Sequence, residues 1–368
     1  MRLHKRWMLI GIFWFRIAAG QSISWPMLPF LKQDSVNPIL RPDSAKEWKD
    51  PISRQPVRWM MHNVLNPAAI VHGGQIWLLF RAQDASPLAP TGTSRIGLAS
   101  SSDGLHFHIL PEPVLFPDTD SMHPYEWPGG IEDPRIVERE DGLYVMTYTA
   151  YDGHTARLCI ATSRDLIHWK KQGLAFPLQP SRWSKSGAII TELKNGKLIA
   201  KKINGQYWMY WGDTHIFIAT SPDLLHWHMM QDSTGQPLQL MGPRPYHFDS
   251  RLVEPGPPPI WTPQGICFVY NGMNAPDQQR DPRLPPNAYG VGQAWIDPNN
   301  PTRVVHRLSA PFLIPEKSYE RMGQVNLVCF AEGWVWFSGK WYLYYGTADS
   351  RIAVAVYSPG SGAVDASE

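Results

Sequence analysis

The sequence predicts an all-β protein, specifically a five-bladed β-propeller, on three observations. The first is 35 prolines and 29 glycines in 368 residues, a composition that breaks long helices because proline lacks the amide hydrogen a helix interior needs. The second is a glycine followed by an aromatic-rich strand in five copies: GQIWLLFR from Gly74, GLYVMTYT from Gly142, GQYWMYWG from Gly205, GICFVYNG from Gly265 and GKWYLYYG from Gly339. The third is a small-residue strand ending in a turn, which follows three of these copies: ASSSDGLHF from Ala99, ATSRDLIHW from Ala161 and ATSPDLLHW from Ala219. Looser equivalents, GQAWIDPNN near Ala294 and IAVAVYS near Ala353, complete the other two units. A period of about sixty residues with one hairpin glycine and several strands per unit is that of a propeller blade.

The elements follow in order. Arg2, Lys5 and Arg6 precede an apolar run from Trp7 to Phe15 that ends near Ala18, Ala19 and Gly20. This pattern reads as a secretory signal peptide over residues 1–20, too short to span a bilayer, ahead of a single domain over 21–368. A secreted or periplasmic protein with no integral membrane span in its mature form is therefore expected. A charged fraction of 18 % with 43 % hydrophobic residues excludes a disordered chain. The net charge of +2 gives no reason to expect nucleic acid. The 17 tryptophans suit flat, hydroxyl-rich ligands, although filling a β-rich core accounts for most of them equally well.

In the Asp-Leu-x-x-Trp turns, Asp165 and Asp223 are expected to hydrogen-bond backbone and Trp169 and Trp227 to pack between sheets. His168 and His226 are structural on the same reading. Cys159, Cys267 and Cys329 lie in apolar strands and read as buried free thiols. No Cys/His pair has zinc-ligand spacing, and there is neither a phosphate-binding glycine loop nor a dinucleotide fingerprint, so no metal and no cofactor are expected.

Ligands of propellers bind where the innermost strands converge, and five stretches there carry more polar chemistry than packing needs. They are NPAAI at 66–70, SRIGLA at 94–99, GGIEDPRIV at 129–137, FDSRLVEPGPPPI at 248–260 and YYGTADS at 344–350. In the third, Gly129 and Gly130 allow close backbone approach, Pro134 is expected to hold Asp133 extended, and Glu132 and Arg135 add charge. Carboxylates clustered beside an arginine shift one another's pKa and can hold one acid protonated for donation. A structural ion-pair network is the other reading of the same residues. A second DPR at Asp281–Arg283 looks like a polar loop.

GGIEDPRIV, with NPAAI, FRAQD, TSRIGLA, VEPGPPPI and YYGTADS in this order from about Asn37 to Val356, resembles glycoside hydrolase family 130, five-bladed propeller enzymes acting on β-mannosides. The resemblance implies an inverting mechanism with Asp133 as general acid, and a terminal mannose pocket lined by Asn66, Arg81, Arg95 and Asp349. Glu132, Arg135, Lys185, Asp249, Asn271 and Glu320 complete the expected set for a manno-oligosaccharide. Phosphorylases of the family carry a basic residue near GPPPI, a His in the fourth-unit strand and an Arg after the third. This chain has Glu254, Asn271 and YWMYWGD there. A carboxylate repels phosphate and suits deprotonation of water, so Glu254 is the expected general base, with Glu320 and Glu332 as competitors. The expected activity is hydrolysis of β-mannosides, most of all β-1,2-linked ones. Two alternatives stay open: a phosphorylase making mannose 1-phosphate, with Lys185, Lys202, Arg244 and Arg251 as another anion site, and a non-catalytic sugar-binding propeller.

Overall fold

Short polar turns join apolar, aromatic strands along this chain, and in the computed structural model, which describes residues 25–359, most strands pair with strands close by in sequence. Asn63–His72, Gln75–Gln83, Ser94–Ser101 and His108–Ile109 form one antiparallel meander. Gly130–Glu138, Tyr144–Tyr151, Ala156–Ser163 and Lys170–Leu174 form the next. In the third, Ala188–Ile189 and Lys202–Ile203 both pair with Gln206–Trp211, which pairs onward to Ile216–Ser221. Leu252–Pro255 and Ile260–Thr262 likewise share Gly265–Met273, followed by Tyr289–Ile296 and Val304–Arg307. The last run is Cys329–Phe337, Lys340–Thr347 and Arg351–Tyr357. Its outer strand is Leu31–Lys32, from the other end of the chain.

Only two helices, of four residues each, occur among the described residues, and none is long and apolar enough to cross a membrane. The expected signal peptide, residues 1–20, lies outside the described residues.

Each repeated glycine sits at the start of the strand that pairs back onto the first segment or segments of its meander. Gly142, at φ +78°, turns a hairpin in the left-handed region that glycine enters without penalty. Gly265 serves packing instead, since a Cβ there would lie 2.1 Å from Trp295 Cε2. The aromatic residues of the repeats are core: Phe80, Tyr148, Tyr210, Tyr270 and Tyr345 are fully buried. The aspartate turns form as expected. Asp165 Oδ1 accepts the amides of Ile167 and His168 at 3.0 and 2.8 Å, and Asp223 repeats the pattern. Trp169 and Trp227 each donate Nε1 to the carbonyl three residues back. The three cysteines are free and buried, and the second DPR is a polar loop in which Arg283 pairs with Asp281 at 2.7 Å.

Candidate active site

Three innermost strands are interrupted by a β-bulge where a polar residue of the site stands. The register slips between Leu65 and Pro67 around Asn66, between Glu132 and Arg135 around Asp133, and between Ala331 and Gly333 around Glu332. Strand side chains normally alternate between faces, and a bulge re-aims one of them. Asn66 and Asp133 both have φ +50°, a left-handed conformation that Asn and Asp tolerate better than other side chains. Asp133 is therefore not extended, as the following proline suggested. The bulge turns consecutive residues, Glu132 and Asp133, toward the same cations. Ser186 and Asp349, at φ +59° and +47°, sit in the same strained region, which clusters at functional sites.

Asp133 is 2 % exposed. Its Oδ1 accepts from Asn66 Nδ2 at 2.8 Å and Arg81 Nη1 at 3.1 Å, and its Oδ2 lies 3.2 Å from Lys185 Nζ. Arg81 also donates Nη2 to Glu132 at 2.6 Å and Nε to Ser94 Oγ at 3.0 Å. Lys185 reaches on to Glu254 Oε1 at 3.6 Å, and Ser186 Oγ donates to that same oxygen. Through the shared ammonium, the nearest Asp133 and Glu254 oxygens lie no more than about 7 Å apart, a bound that spans both the ~5 Å of a retaining pair and the lower end of the ~6.5 to 9.5 Å of an inverting one.

Arg135 braces this arrangement from below. It donates to the carbonyls of Gly256 and Pro255 at 2.9 and 2.7 Å, next to Glu254 in sequence, and stands 2.9 Å from Glu332. Neither Glu332 oxygen accepts a hydrogen bond, so that contact is one of charge alone.

Five carboxyl groups (Glu132, Asp133, Glu254, Glu332 and Asp349) thus surround three cations. Burial would raise the Asp133 carboxyl, but Lys185, then Arg81 and the Asn66 amide, outweigh it and hold the group well below the usual carboxylate range. Burial, aided by the Asp133 charge, raises Glu132 against the pull of Arg81. Glu254 is raised by burial and by Asp213, against Lys185. Glu332 is pushed well up by burial against Arg135. Burial lifts Asp349 to about 6, with Arg81 opposing and Asp133 adding. The expectation that crowding raises an acid thus applies to the neighbours of Asp133 and not to Asp133 itself.

Of the expected residues, Asn66, Arg81, Glu132, Asp133, Arg135, Lys185 and Glu254 meet in this cluster, and Asp349 stands within its field. Four do not act there. Arg95 points away because it alternates with Ser94, and it is held by Asp50 at 2.7 Å and Asp84 at 2.8 Å. Asp249 is buried between Arg307 at 2.6 Å and Arg244 at 2.8 Å and accepts the Tyr270 hydroxyl. Glu320 is fully buried elsewhere and accepts from Lys32 Nζ at 2.7 Å, Tyr345 Oη at 2.9 Å and the amides of Glu316 and Lys317. It is thus removed as a candidate base. Asn271 borders the site, but its amide is engaged with backbone: Oδ1 accepts from Ala331 N at 2.8 Å and Nδ2 donates to Ala331 O at 3.0 Å. It positions the strand that carries Glu332.

The alternative anion set does not assemble. Arg244 faces Asp249, Arg251 donates to Asn287, and Lys202 lies over the Tyr207 ring. Ser94, Ser186 and Asp213 escaped the sequence reading. Ser94 stood beside a more conspicuous Arg, Asp213 closes the YWMYWGD stretch, which registers in sequence only for a missing Arg, and no motif marks Ser186.

The fold and this site define a carbohydrate-active enzyme of an all-β, propeller-forming family. The chain belongs to glycoside hydrolase family 130: residues 30–359 match the family model described as β-1,4-mannooligosaccharide phosphorylase. It is 33 % identical over 332 residues to a 1,2-β-oligomannan phosphorylase of Thermoanaerobacter sp. (strain X514), covering 89 % of this chain and 96 % of that one. Among solved structures, it is 45 % identical, with a TM-score of 0.90 over 93 % of this chain and 97 % of the other, to one described by the finding that the GH130 family of mannoside phosphorylases contains glycoside hydrolases that target β-1,2 mannosidic linkages in Candida mannan. A glycosyl hydrolase from Bacteroides ovatus matches at 45 % identity with a TM-score of 0.89 over 92 % of this chain and 96 % of that one. The protein is accordingly an enzyme acting on mannosides.

Proposed function

We propose that this enzyme hydrolyses β-mannosides, most of all β-1,2-linked manno-oligosaccharides, with inversion at the anomeric carbon. One observation carries the reading: a carboxylate, Glu254, rather than a cation, faces the donor across the site, and Arg81, Lys185 and Arg135 are each held by carboxylates. A phosphate dianion needs converging Arg, Lys or His donors and would meet a surplus of negative charge here. Glu254, its basicity raised by burial, takes a proton from water. The water oxygen bonds to the anomeric carbon as the bond to the leaving oxygen breaks, and that oxygen receives a proton from Asp133. Glu132 and Asp133 share Arg81 and titrate as a pair. The mechanism requires one proton on that pair once substrate is bound.

Phosphorolysis is the second reading, because the curated relative is a phosphorylase. On the comparisons alone it fits at least as well as hydrolysis. Incubation with β-1,2- and β-1,4-mannobiose, with and without phosphate, separates the two: free mannose at a phosphate-independent rate supports hydrolysis, and phosphate-dependent mannose 1-phosphate supports the alternative. We further propose that the five meanders close as the five blades of one propeller spanning 21–368, and that residues 1–20 direct export. Export fits hydrolysis, since a sugar phosphate conserves bond energy only for use inside a cell.

A further inference from the structure

Among the described residues Trp183 is the one exposed tryptophan, at 49 %. Every other described Trp is buried or half-buried. Its place is not that of a stray surface side chain. It lies on the connection from Lys170–Leu174 to Ala188–Ile189, two residues before Lys185 and three before Ser186, the groups that touch Asp133 and Glu254.

The connection is pinned on both sides. Pro180 O accepts from Arg157 Nε at 2.5 Å, Ser184 N donates to Ala156 O at 3.0 Å, and Lys185 O accepts from Gly212 N at 2.9 Å. The indole is anchored in turn, with Nε1 donating to Asp213 Oδ2 at 2.7 Å. Asp213 is close enough to the cluster for its charge to raise both Glu254 and Lys185. Leu178, on the same connection, is 94 % exposed. A rigid aromatic face therefore stands at the rim of a site whose acid and base are almost wholly buried.

On the mannoside-cleaving reading the sugar being cleaved must reach Asp133 and Glu254, at 2 % and 5 % exposure, and the rest of an oligosaccharide must then extend outward past the rim. We infer that Trp183 is the stacking platform for the leaving-group sugar next to the scissile bond, and so a determinant of preference for oligosaccharide over small leaving groups. A pyranose presents an apolar face of C–H groups that suits an aromatic ring, and an indole already locked by Asp213 loses little freedom on binding. The inference rests on the mannoside-cleaving reading and holds for water or phosphate as the acceptor.

The test compares kcat/KM for β-1,2-mannotetraose with that for β-mannosyl fluoride, which has no leaving-group sugar, in wild type, Trp183→Ala and Trp183→Phe. The expected result is a loss on the tetraose about tenfold greater than the loss on the fluoride for Trp183→Ala, equivalent to about 1.4 kcal/mol, with most of the difference restored by Trp183→Phe. Equal losses on both substrates, in a variant whose thermal midpoint is unchanged, overturn the platform and leave the enzyme reading standing. Failure of wild type to consume either substrate, with phosphate present, overturns both.

Discussion

Replacing Asp133 by Asn tests the donor assignment with little structural disturbance. Asn tolerates the +50° φ of this position, whereas Ala would add backbone strain of about 1 to 2 kcal/mol. The exchange removes attractions to Arg81 and Lys185 at 3.1 and 3.2 Å, each worth about 5 kcal/mol at an effective dielectric constant of 20. It also relieves repulsion from the surrounding carboxylates. Both cations keep a partner, Glu132 at 2.6 Å and Glu254 at 3.6 Å, so neither is left as an uncompensated buried charge. The stability change should stay below the roughly 3 kcal/mol that stranding one costs. Activity should respond differently. Loss of a general acid lowers turnover by about 10² to 10⁴, or roughly 3 to 5 kcal/mol of barrier. The assay is kcat on β-1,2-mannobiose beside a denaturant melt of the same preparation. Turnover within tenfold of wild type refutes the assignment. Lost activity together with several kcal/mol of lost stability would instead mark Asp133 as a member of a structural ion network.

Four other perturbations follow from the same geometry. Glu254→Gln should lower kcat by about 10² or more, and Ser186→Ala, which removes a hydroxyl donating to Glu254, should raise that carboxyl further and move the acid limb of kcat/KM to higher pH; an unmoved limb would detach Glu254 from it. Asp349, lifted to about 6, keeps its proton in the folded protein while the unfolded chain ionises near pH 4. Wild type should therefore lose up to about 3 kcal/mol of stability between pH 4 and 6, a decline absent in Asp349→Asn and measurable by denaturation at several pH values. Glu320→Gln removes the nearer of the two carboxylates beside the nearly buried Lys32 and leaves Glu316 at 3.5 Å, so it should destabilise the fold by less than the roughly 3 kcal/mol of a stranded charge while leaving the kcat of folded enzyme unchanged; a selective loss of kcat would return Glu320 to the active site.

The strand pattern was legible because hairpin glycines and buried aromatics recur with the meanders: Gly74, Gly142, Gly205, Gly265 and Gly339 all mark the start of the strand that pairs back onto the beginning of its meander. The aspartate turns were equally legible, since one short hydrogen-bonding pattern recurs from Asp165 to Asp223. The site was legible only in part, because a motif names residues without saying which face of a strand they occupy. Ser94 and Arg95 are adjacent and point oppositely, so the conspicuous arginine went to Asp50 and Asp84 while the serine joined the cluster. Glu132 and Asp133 break that alternation through a bulge that nothing in EDPR announces. Asp249 and Glu320 carry the right chemistry for a sugar site, but buried Arg and Lys partners far along the chain claim them, and such pairings appear only once the strands are in register.

The central claim, hydrolysis by an inverting pair, is tested most directly by following β-1,2-mannobiose with the wild-type enzyme in phosphate buffer by proton NMR. The account predicts α-mannose as the first product from the cleaved residue, at a rate independent of phosphate concentration and with no mannose 1-phosphate. Mannose 1-phosphate as the main product, forming in proportion to phosphate, would contradict it.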